Sequence, residues 1–163
     1  MCHPDYLLTT NDEIRDLLVN TKTIAVLGIK PESHAGQPAF YVPKYMMDAG
    51  YDIIPVPVYY PDVTEILGKP VYRDLKQIPV EIDLLNVFRR SEDIPKHTFE
   101  ILRKKPKAVW FQLGIRNDEV AEKLETLQRV TSADELVITS VTHRHADRLR
   151  SHELIAKRWG LTG

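Results

Sequence analysis

A glycine at the end of an apolar segment is the first arrangement in this chain that could support chemistry. Gly28 directly follows residues 23–27, which are mostly apolar and partly β-branched, and a helix-like pattern begins beyond it. A glycine at such a turn lets the backbone approach a ligand closely, and the N-terminus of the next helix favours an anion. The pattern predicts a βα turn that binds phosphate.

The residues around Gly28 differ from two common nucleotide motifs. The fingerprint G-x-G-x-x-G is absent, since the next glycine is Gly36, and no G-x-x-x-x-G-K-[ST] sequence occurs. An NAD site would also have an acidic residue at the end of the second strand. That strand ends in residues 55–58, Pro-Val-Pro-Val, and Asp52 lies at its other end. The turn therefore indicates a phosphate-containing ligand and disfavours NAD.

Two arginines follow the third apolar strand at its carboxyl end. A guanidinium of Arg89 or Arg90 can donate two parallel hydrogen bonds to a phosphate beside the glycine turn. Cations near a helix N-terminus oppose its dipole, so the pair is mildly unfavourable unless an anion binds there. Lys30 and His34 would add positive charge from the first loop. The alternative interpretation is a solvated helix start.

The fourth strand also ends in residues that can line a crevice. Gln112 is polar in an otherwise apolar run over residues 108–113, so it requires a hydrogen-bond partner, and Gly114 follows it. Trp110 and Phe111 point to opposite faces of the strand and are predicted to be core residues.

A histidine-rich segment has the spacing of a metal site but precedes a predicted helix. His143, His145 and Asp147 could converge on a metal if the backbone were extended, whereas their side chains diverge in a helix. We therefore predict no metal site. Neither a catalytic triad nor a pair of carboxylates can be assembled, so no catalytic residue is predicted.

Composition favours one small domain. The chain has 163 residues, 43% of them hydrophobic, which suffices for a single core over residues 1–163. A net charge of −1 argues against general nucleic-acid binding. No run approaches the roughly 18 apolar residues of a membrane span. The N-terminus has no basic segment followed by an apolar one, and Cys2 is the only cysteine. We expect a cytoplasmic protein that does not contact a membrane.

Strands alternate with helices along the chain. Thr10 and Glu13 predict a capping box for an N-terminal helix within residues 1–20. A second helix begins either near Pro43 or, kinked, at Pro38. Ser91 is predicted to cap a helix that runs to about Lys104. Further helices are predicted over residues 118–128 and within residues 144–163, and the predicted strands are residues 23–27, 51–57, 82–88, 108–113 and 136–139.

This alternation predicts an α/β protein with a Rossmann-like, doubly wound parallel sheet of about five strands in three αβα layers. Pro55 and Pro57 remove N–H groups from the same side of strand 2, which places that strand at or near an edge. The expected strand order is 2-1-3-4-5. A ligand should then bind at the switch point, above the carboxyl ends of strands 1 and 3.

Taken together, several segments resemble the bacterial-type, stand-alone CoA-binding domain family, which is similar to the CoA-binding domain of succinyl-CoA synthetase. They are residues 24–28 (Ile-Ala-Val-Leu-Gly), Gly50-Tyr51 with Pro55-Val56, Ile66-Leu67-Gly68 with Val71-Tyr72, Asp83 with residues 87–90 (Val-Phe-Arg-Arg), and Trp110-x-Gln112-x-Gly114. The resemblance spans residues 10–128. It implies a Rossmann-like fold that binds coenzyme A.

The resemblance also implies where the cofactor lies. The loop at Gly28 and the helix N-terminus after it would face the pyrophosphate, and Val56 with its neighbours would flank the adenosine part. Arg89 and the segment from Gln112 to Gly114 would line the same crevice. The complete predicted site comprises Gly28, Ile29, Lys30, His34, Gln37, Pro38, Val56, Pro57, Phe88, Arg89, Arg90, Gln112 and Gly114.

Three functions are compatible with these residues. The leading hypothesis is a non-catalytic module that binds coenzyme A or an acyl-CoA through its pyrophosphate, with an unidentified partner protein. An oxidoreductase that uses a nicotinamide cofactor is the second. The third is an interaction protein that has lost its ligand, because Lys30, Pro57 and residues 139–143 depart from the pattern of many relatives.

Overall fold

The computed structural model describes residue 8, residues 10–112 and residues 135–138, and the account below concerns these residues. Its main sheet contains five strands, all parallel to their neighbours. In chain order the strands of the structure are β1 (Thr23–Leu27), β2 (Asp52–Val56), β3 (Glu65–Ile66), β4 (Lys69–Pro70), β5 (Leu84–Val87), β6 (Ala108–Phe111) and β7 (Glu135–Ile138). The order in the main sheet is β2-β1-β5-β6-β7. This is the predicted order, with β5, β6 and β7 as predicted strands 3, 4 and 5.

Three α-helices accompany the sheet in the described part of the chain: α1 (Asn11–Asn20), α2 (Pro38–Asp48) and α3 (Thr98–Lys104). The predicted capping box starts α1. The Thr10 hydroxyl accepts from the Glu13 N–H at 3.3 Å, and the Glu13 carboxylate accepts from the Thr10 N–H at 2.9 Å. None of the described helices is long and apolar enough to cross a membrane.

Helix α2 begins at Pro38 and continues through Pro43. Proline is tolerated at the start of a helix, where its missing N–H has no intrahelical acceptor. Inside the helix, Pro43 cannot donate to the carbonyl four residues earlier, that of Ala39. The structure shows this carbonyl accepting from the Lys30 N–H at 3.1 Å instead. The second proline therefore frees an acceptor that ties α2 to the loop after β1.

Strand β2 forms one edge of the five-stranded sheet, as the prolines predicted. The Val56 carbonyl faces β1 and accepts from the Gly28 N–H at 2.8 Å. The Pro55 carbonyl faces the other way and accepts from the Tyr72 N–H at 2.9 Å. The short antiparallel pair of β3 and β4, where no strand was predicted, precedes Tyr72.

Alternate residues of the strands pack into two separate hydrophobic clusters. Ala25, Leu27, Leu85 and Val87 belong to a cluster that also contains Ile101 of α3. The intervening residues of the same strands pack with Phe40 of α2 and with partly buried side chains of α1 and α2. Helices thus cover both faces of a parallel sheet, which confirms the three-layer, doubly wound architecture.

The prediction of one helix from Ser91 to Lys104 was wrong in its first half. Residues Ser91–His97 form a 3₁₀ helix, its N-cap position is Arg90, and no side chain caps it. Pro95 lies inside this segment and cannot donate to the Ser91 carbonyl, so the first hydrogen bond of an α-helix capped by Ser91 cannot form.

Several predictions fall on residues outside the described part of the chain. They concern Cys2, Gly114, the helix over residues 118–128, the segment from His143 to Asp147 and the C-terminal helix within residues 144–163.

Candidate ligand-binding cleft

A cleft of about 1000 Å³ opens at the carboxyl ends of β1 and β5, where the strand order predicted the switch point. This volume suits a cofactor-sized molecule. Its walls come from the loop after β1, the first turns of α2, the loop after β2 and the segment after β5. The lining residues are Gly28, Ile29, Lys30, Gln37, Pro38, Ala39, Tyr41, Val42, Val58, Tyr59, Tyr60, Phe88, Arg89, Arg90, Ser91, Glu92, Asp93 and Gln112.

Gly28 lets the ends of β1 and β5 approach each other. Its φ is +89°, and a Cβ placed on it would lie 2.4 Å from the Phe88 carbonyl oxygen and 3.0 Å from Arg89 Cδ. The Phe88 N–H also donates to the Leu27 carbonyl at 2.8 Å. The predicted glycine is therefore required both for its left-handed backbone and for the space that it leaves.

The loop after Gly28 is fixed by its own hydrogen bonds. The Gly28 and Lys30 N–H groups donate to the carbonyls of Val56 and Ala39, so neither of these amides is free for a phosphate. The Lys30 ammonium donates to the side-chain carbonyl of Gln37. Gln37 is the N-cap residue of α2, and its side chain makes no capping hydrogen bond. In the first turn of α2, Pro38 has no N–H and the Phe40 N–H donates to the Gln37 carbonyl at 2.9 Å, so the Ala39 N–H is the donor that remains there.

Arg89 lies in the cleft wall, but its guanidinium is buried and already paired. Its side chain is only 7% exposed and pairs with the Asp93 carboxylate at 3.2 Å. Its guanidinium carbon lies 5.1 Å from the centre of the Tyr59 ring, close enough for a cation–π contact. Its Nε is buried and has no hydrogen-bond partner among the described residues.

Asp93 is held as an anion by neighbouring cations. A hydrogen bond from Lys96 at 2.7 Å, followed by the charges of Arg89, Lys96 and Arg90, holds the pKa of this carboxyl below its usual value. Arg90 differs from Arg89, since its side chain is 82% exposed and only approaches Glu92, at 4.0 Å. The cleft thus combines three cations, Lys30, Arg89 and Arg90, with two carboxylates, Glu92 and Asp93.

Nine of the thirteen predicted site residues lie together in this lining, while His34, Val56 and Pro57 do not, and Gly114 falls outside the described residues. His34 contacts the Tyr60 hydroxyl through Nε2 at 3.3 Å and so lies behind a lining residue. Val56 is buried at the end of β2, and Pro57 is buried directly after it. The residues that follow them, Val58 to Tyr60, reach the cleft instead.

Comparison with known proteins identifies the family. The chain matches the family described as "CoA binding domain" over residues 22–138. The chain belongs to the CoA-binding domain family. The match includes β1 to β7 and every described residue of the cleft.

One relative and one solved structure match this chain over most of their own length, and a larger enzyme matches its fold over about a quarter. The chain is 38% identical over 122 residues to the uncharacterized protein YneT of Bacillus subtilis, covering 75% of this chain and 87% of that protein. The structure of cell-free ID.343 from Thermus thermophilus has a TM-score of 0.69 and 29% identity, covering 90% of this chain and 99% of that one. A dinucleotide-forming acetyl-coenzyme A synthetase from Ca. Korarchaeum cryptofilum, in complex with phosphate and ADP, shares the fold with a TM-score of 0.63. At 18% identity it covers 77% of this chain and 27% of the synthetase.

The CoA-binding domain has a side-chain hydrogen bond beside the cleft of which the sequence predicted only one partner, Gln112. Gln112 donates to the Asn86 side-chain oxygen at 2.5 Å, and the Asn86 amide lies 3.8 Å from Met46 Sδ. Asn86 is fully buried within β5. The hydrogen bond expected for Gln112 is present. A polar residue in the apolar run from Leu84 to Val87 is the signal that would have identified Asn86.

Arg73 was missed because no local pattern marks it. Its guanidinium donates to the carbonyls of Tyr60 and Pro61 at 3.0 and 3.1 Å, to that of Tyr59 at 3.4 Å, and to that of Val63. It thereby holds the loop that brings Tyr59 to the cleft of the CoA-binding domain.

Metal-ligating side chains are not grouped in the part of the chain that the structure describes. The described residues contain no group of three or more His, Cys, Asp or Glu side chains that could hold a metal ion. The histidine-rich segment at residues 143–147 lies outside them.

Proposed function

We propose that this protein binds coenzyme A or an acyl-CoA in the cleft and acts as a binding module, with no catalytic role for its residues. The cofactor's pyrophosphate would lie at the N-terminus of α2, between Lys30 on one side and Arg89 and Arg90 on the other. The observation that carries the proposal is a cofactor-sized cleft at the switch point of a CoA-binding domain.

The uncapped start of α2 supports an anionic ligand. Pro38 and Ala39 line the cleft, and the Ala39 N–H in the first turn of α2 is a donor with a partial positive charge. In many helices a side chain at the N-cap accepts from an N–H group of the first turn. The Gln37 side chain makes no such bond and contacts Lys30 instead. A phosphate oxygen would serve as the missing acceptor.

The charges of the lining support the same location. Both arginines have carboxylates nearby, whereas the Lys30 ammonium contacts a neutral amide. Lys30 therefore keeps its charge available to a ligand at little cost. The buried Nε of Arg89 is a donor without a described partner, and such a donor costs about 1–3 kcal/mol. A ligand acceptor would recover part of that cost once the guanidinium turns toward the cleft.

Isothermal titration with coenzyme A tests the proposal. Saturable binding is expected for the wild-type protein. Arg89→Ala and Lys30→Gln should each weaken it about tenfold or more, because a hydrogen bond to a charged group contributes about 1.5–3 kcal/mol. Arg15→Ala is the matched control, since Arg15 is exposed on α1, pairs with Asp12 and lies outside the cleft lining. Thermal unfolding of each variant separates lost binding from lost folding.

Two results would contradict the proposal. If titration with millimolar coenzyme A gives no heat of binding, specific binding of this cofactor is excluded. An equal loss of affinity in Arg15→Ala would mean that net charge, and not the cleft, attracts the ligand. Titration with NADH in parallel tests the oxidoreductase alternative, which predicts tighter binding of NADH than of coenzyme A.

A further inference from the structure

We propose that Tyr59 is the stacking surface for the purine base of the ligand and so determines its specificity for a nucleotide. This inference rests on the proposed function, because it assigns a residue to one part of the coenzyme in the same cleft. Tyr59 was not among the site residues predicted from the sequence.

Tyr59 combines exposure with a position in the cleft wall. Its side chain is 60% exposed although the residue follows the buried end of β2 by only a few positions. An exposed aromatic ring leaves apolar area in water, and covering that area with a planar base is favourable. Base–aromatic stacking accepts any base, since every base has a π face, so the contact selects for a nucleotide in general.

Two contacts hold this ring in place before a ligand binds. The guanidinium carbon of Arg89 lies 5.1 Å from the ring centre, and Arg89 is itself fixed by Asp93. The backbone of the Tyr59 loop is held by Arg73, which donates to the Tyr59 and Tyr60 carbonyls. A ring that is already positioned loses little conformational entropy when a base stacks on it, so more of the contact energy appears as affinity.

Tyr41 is the other exposed tyrosine in the described lining, and it lacks such support. It projects from α2 with half of its side chain exposed, and no cation–π or aromatic ring contact holds it among the described residues. Tyr60 is held in place but is only partly exposed, because His34 contacts both its hydroxyl and its ring. Tyr59 is the tyrosine of this cleft that is both exposed and supported.

The test compares ligands with and without the base. Coenzyme A and adenosine 3′,5′-bisphosphate contain the purine, whereas 4′-phosphopantetheine lacks it. Tyr59→Leu should weaken the two purine ligands about tenfold, a typical effect of losing one stacked base, and change 4′-phosphopantetheine less than twofold. Tyr59→Phe should stay close to wild type, because the ring and not the hydroxyl makes the contact. In proton spectra, the adenine H2 and H8 signals should shift upfield on binding to wild type and to Tyr59→Phe, and not to Tyr59→Leu.

Tyr45→Leu is the control for removing an exposed tyrosine, since Tyr45 is 75% exposed on α2 and lies outside the lining. The inference is overturned if Tyr59→Leu binds coenzyme A as wild type does, or if Tyr59→Phe is as weak as Tyr59→Leu. It is also overturned if Tyr41→Leu, and not Tyr59→Leu, loses the purine ligands. If wild type binds none of the three ligands, the proposed function itself fails, and this inference fails with it.

Discussion

Replacement of Gly28 by alanine tests the geometry on which the cleft depends. The added Cβ would lie 2.4 Å from the Phe88 carbonyl oxygen, a distance at which backbone must move. The residue would also have to keep a φ of +89°, which L-residues with a side chain rarely adopt. The substitution therefore combines a backbone strain with a steric overlap.

The two costs can be separated with the other glycines of the chain. Gly50 has a φ of +101° and open space around its Cβ position, so Gly50→Ala adds only the backbone strain, about 1–2 kcal/mol. Gly36 has neither feature, and Gly36→Ala should be neutral or stabilising by up to about 1 kcal/mol. Gly28→Ala adds the overlap, about 1–3 kcal/mol, and should lose roughly 2–5 kcal/mol in total.

Urea unfolding followed by circular dichroism measures these differences directly. The expected order of free energies of unfolding is Gly36→Ala highest, then Gly50→Ala, then Gly28→Ala. A Gly28→Ala protein as stable as Gly50→Ala would refute the close approach of β1 to the segment after β5. Coenzyme A titration of any folded Gly28→Ala protein should in addition show weaker binding, since Arg89 Cδ lies 3.0 Å from the new methyl position.

Two further substitutions probe the sheet below the cleft. Burial alone would raise the pKa of Asp83, but hydrogen bonds from Lys107 and from two backbone N–H groups outweigh it and lower that pKa. Asp83→Asn should therefore reduce the free energy of unfolding by about 1–3 kcal/mol at pH 7. This difference from wild type should persist above about pH 4 and vanish as the pH falls through the lowered pKa; a difference unchanged by acid would contradict the charge argument. Gln112→Met removes the donor to the buried Asn86 oxygen and should lower the free energy of unfolding, measured by urea titration, by about 1–3 kcal/mol. Adding Asn86→Leu in a double variant should restore part of this loss, because the oxygen left unpaired is removed as well. Additive losses would show that the two side chains do not act as a pair.

The fold could be predicted from the sequence because local physics determines most of it. The capping box at Thr10 and the two closely spaced prolines at the end of β2 each depend on groups within a few residues. The apolar strands alternate with helices, and parallel strands joined by right-handed crossovers leave few possible orders. The 3₁₀ segment at Ser91–His97 was missed because a capping serine was given more weight than Pro95, which lacks the N–H for the first hydrogen bond of an α-helix capped by Ser91.

The cleft was predicted in position but not in its internal pairing. Strand order alone brings Gly28, Arg89 and Gln112 to one edge of the sheet. The partners of Arg89 depend on tertiary structure, since Tyr59 lies thirty positions earlier along the chain and Asp93 belongs to the segment predicted as a regular helix. Periodicity carries no information about such contacts. The position of the two arginines after strand 3 predicted a phosphate contact for either of them, whereas the structure has one buried and one exposed.

Prolines explain how the two walls of the cleft are held. Pro43 leaves the Ala39 carbonyl without its intrahelical donor, and the Lys30 N–H takes that place, which fixes the loop after β1 against α2. Pro55 in β2 and Pro57 directly after it have no N–H with which a further strand could form a regular ladder on the outer side. The chain beyond them turns over the cleft instead and brings Tyr59 to the guanidinium of Arg89. Residues that remove hydrogen-bond donors from regular structure thus position both the cation and the aromatic ring on which the proposed recognition depends.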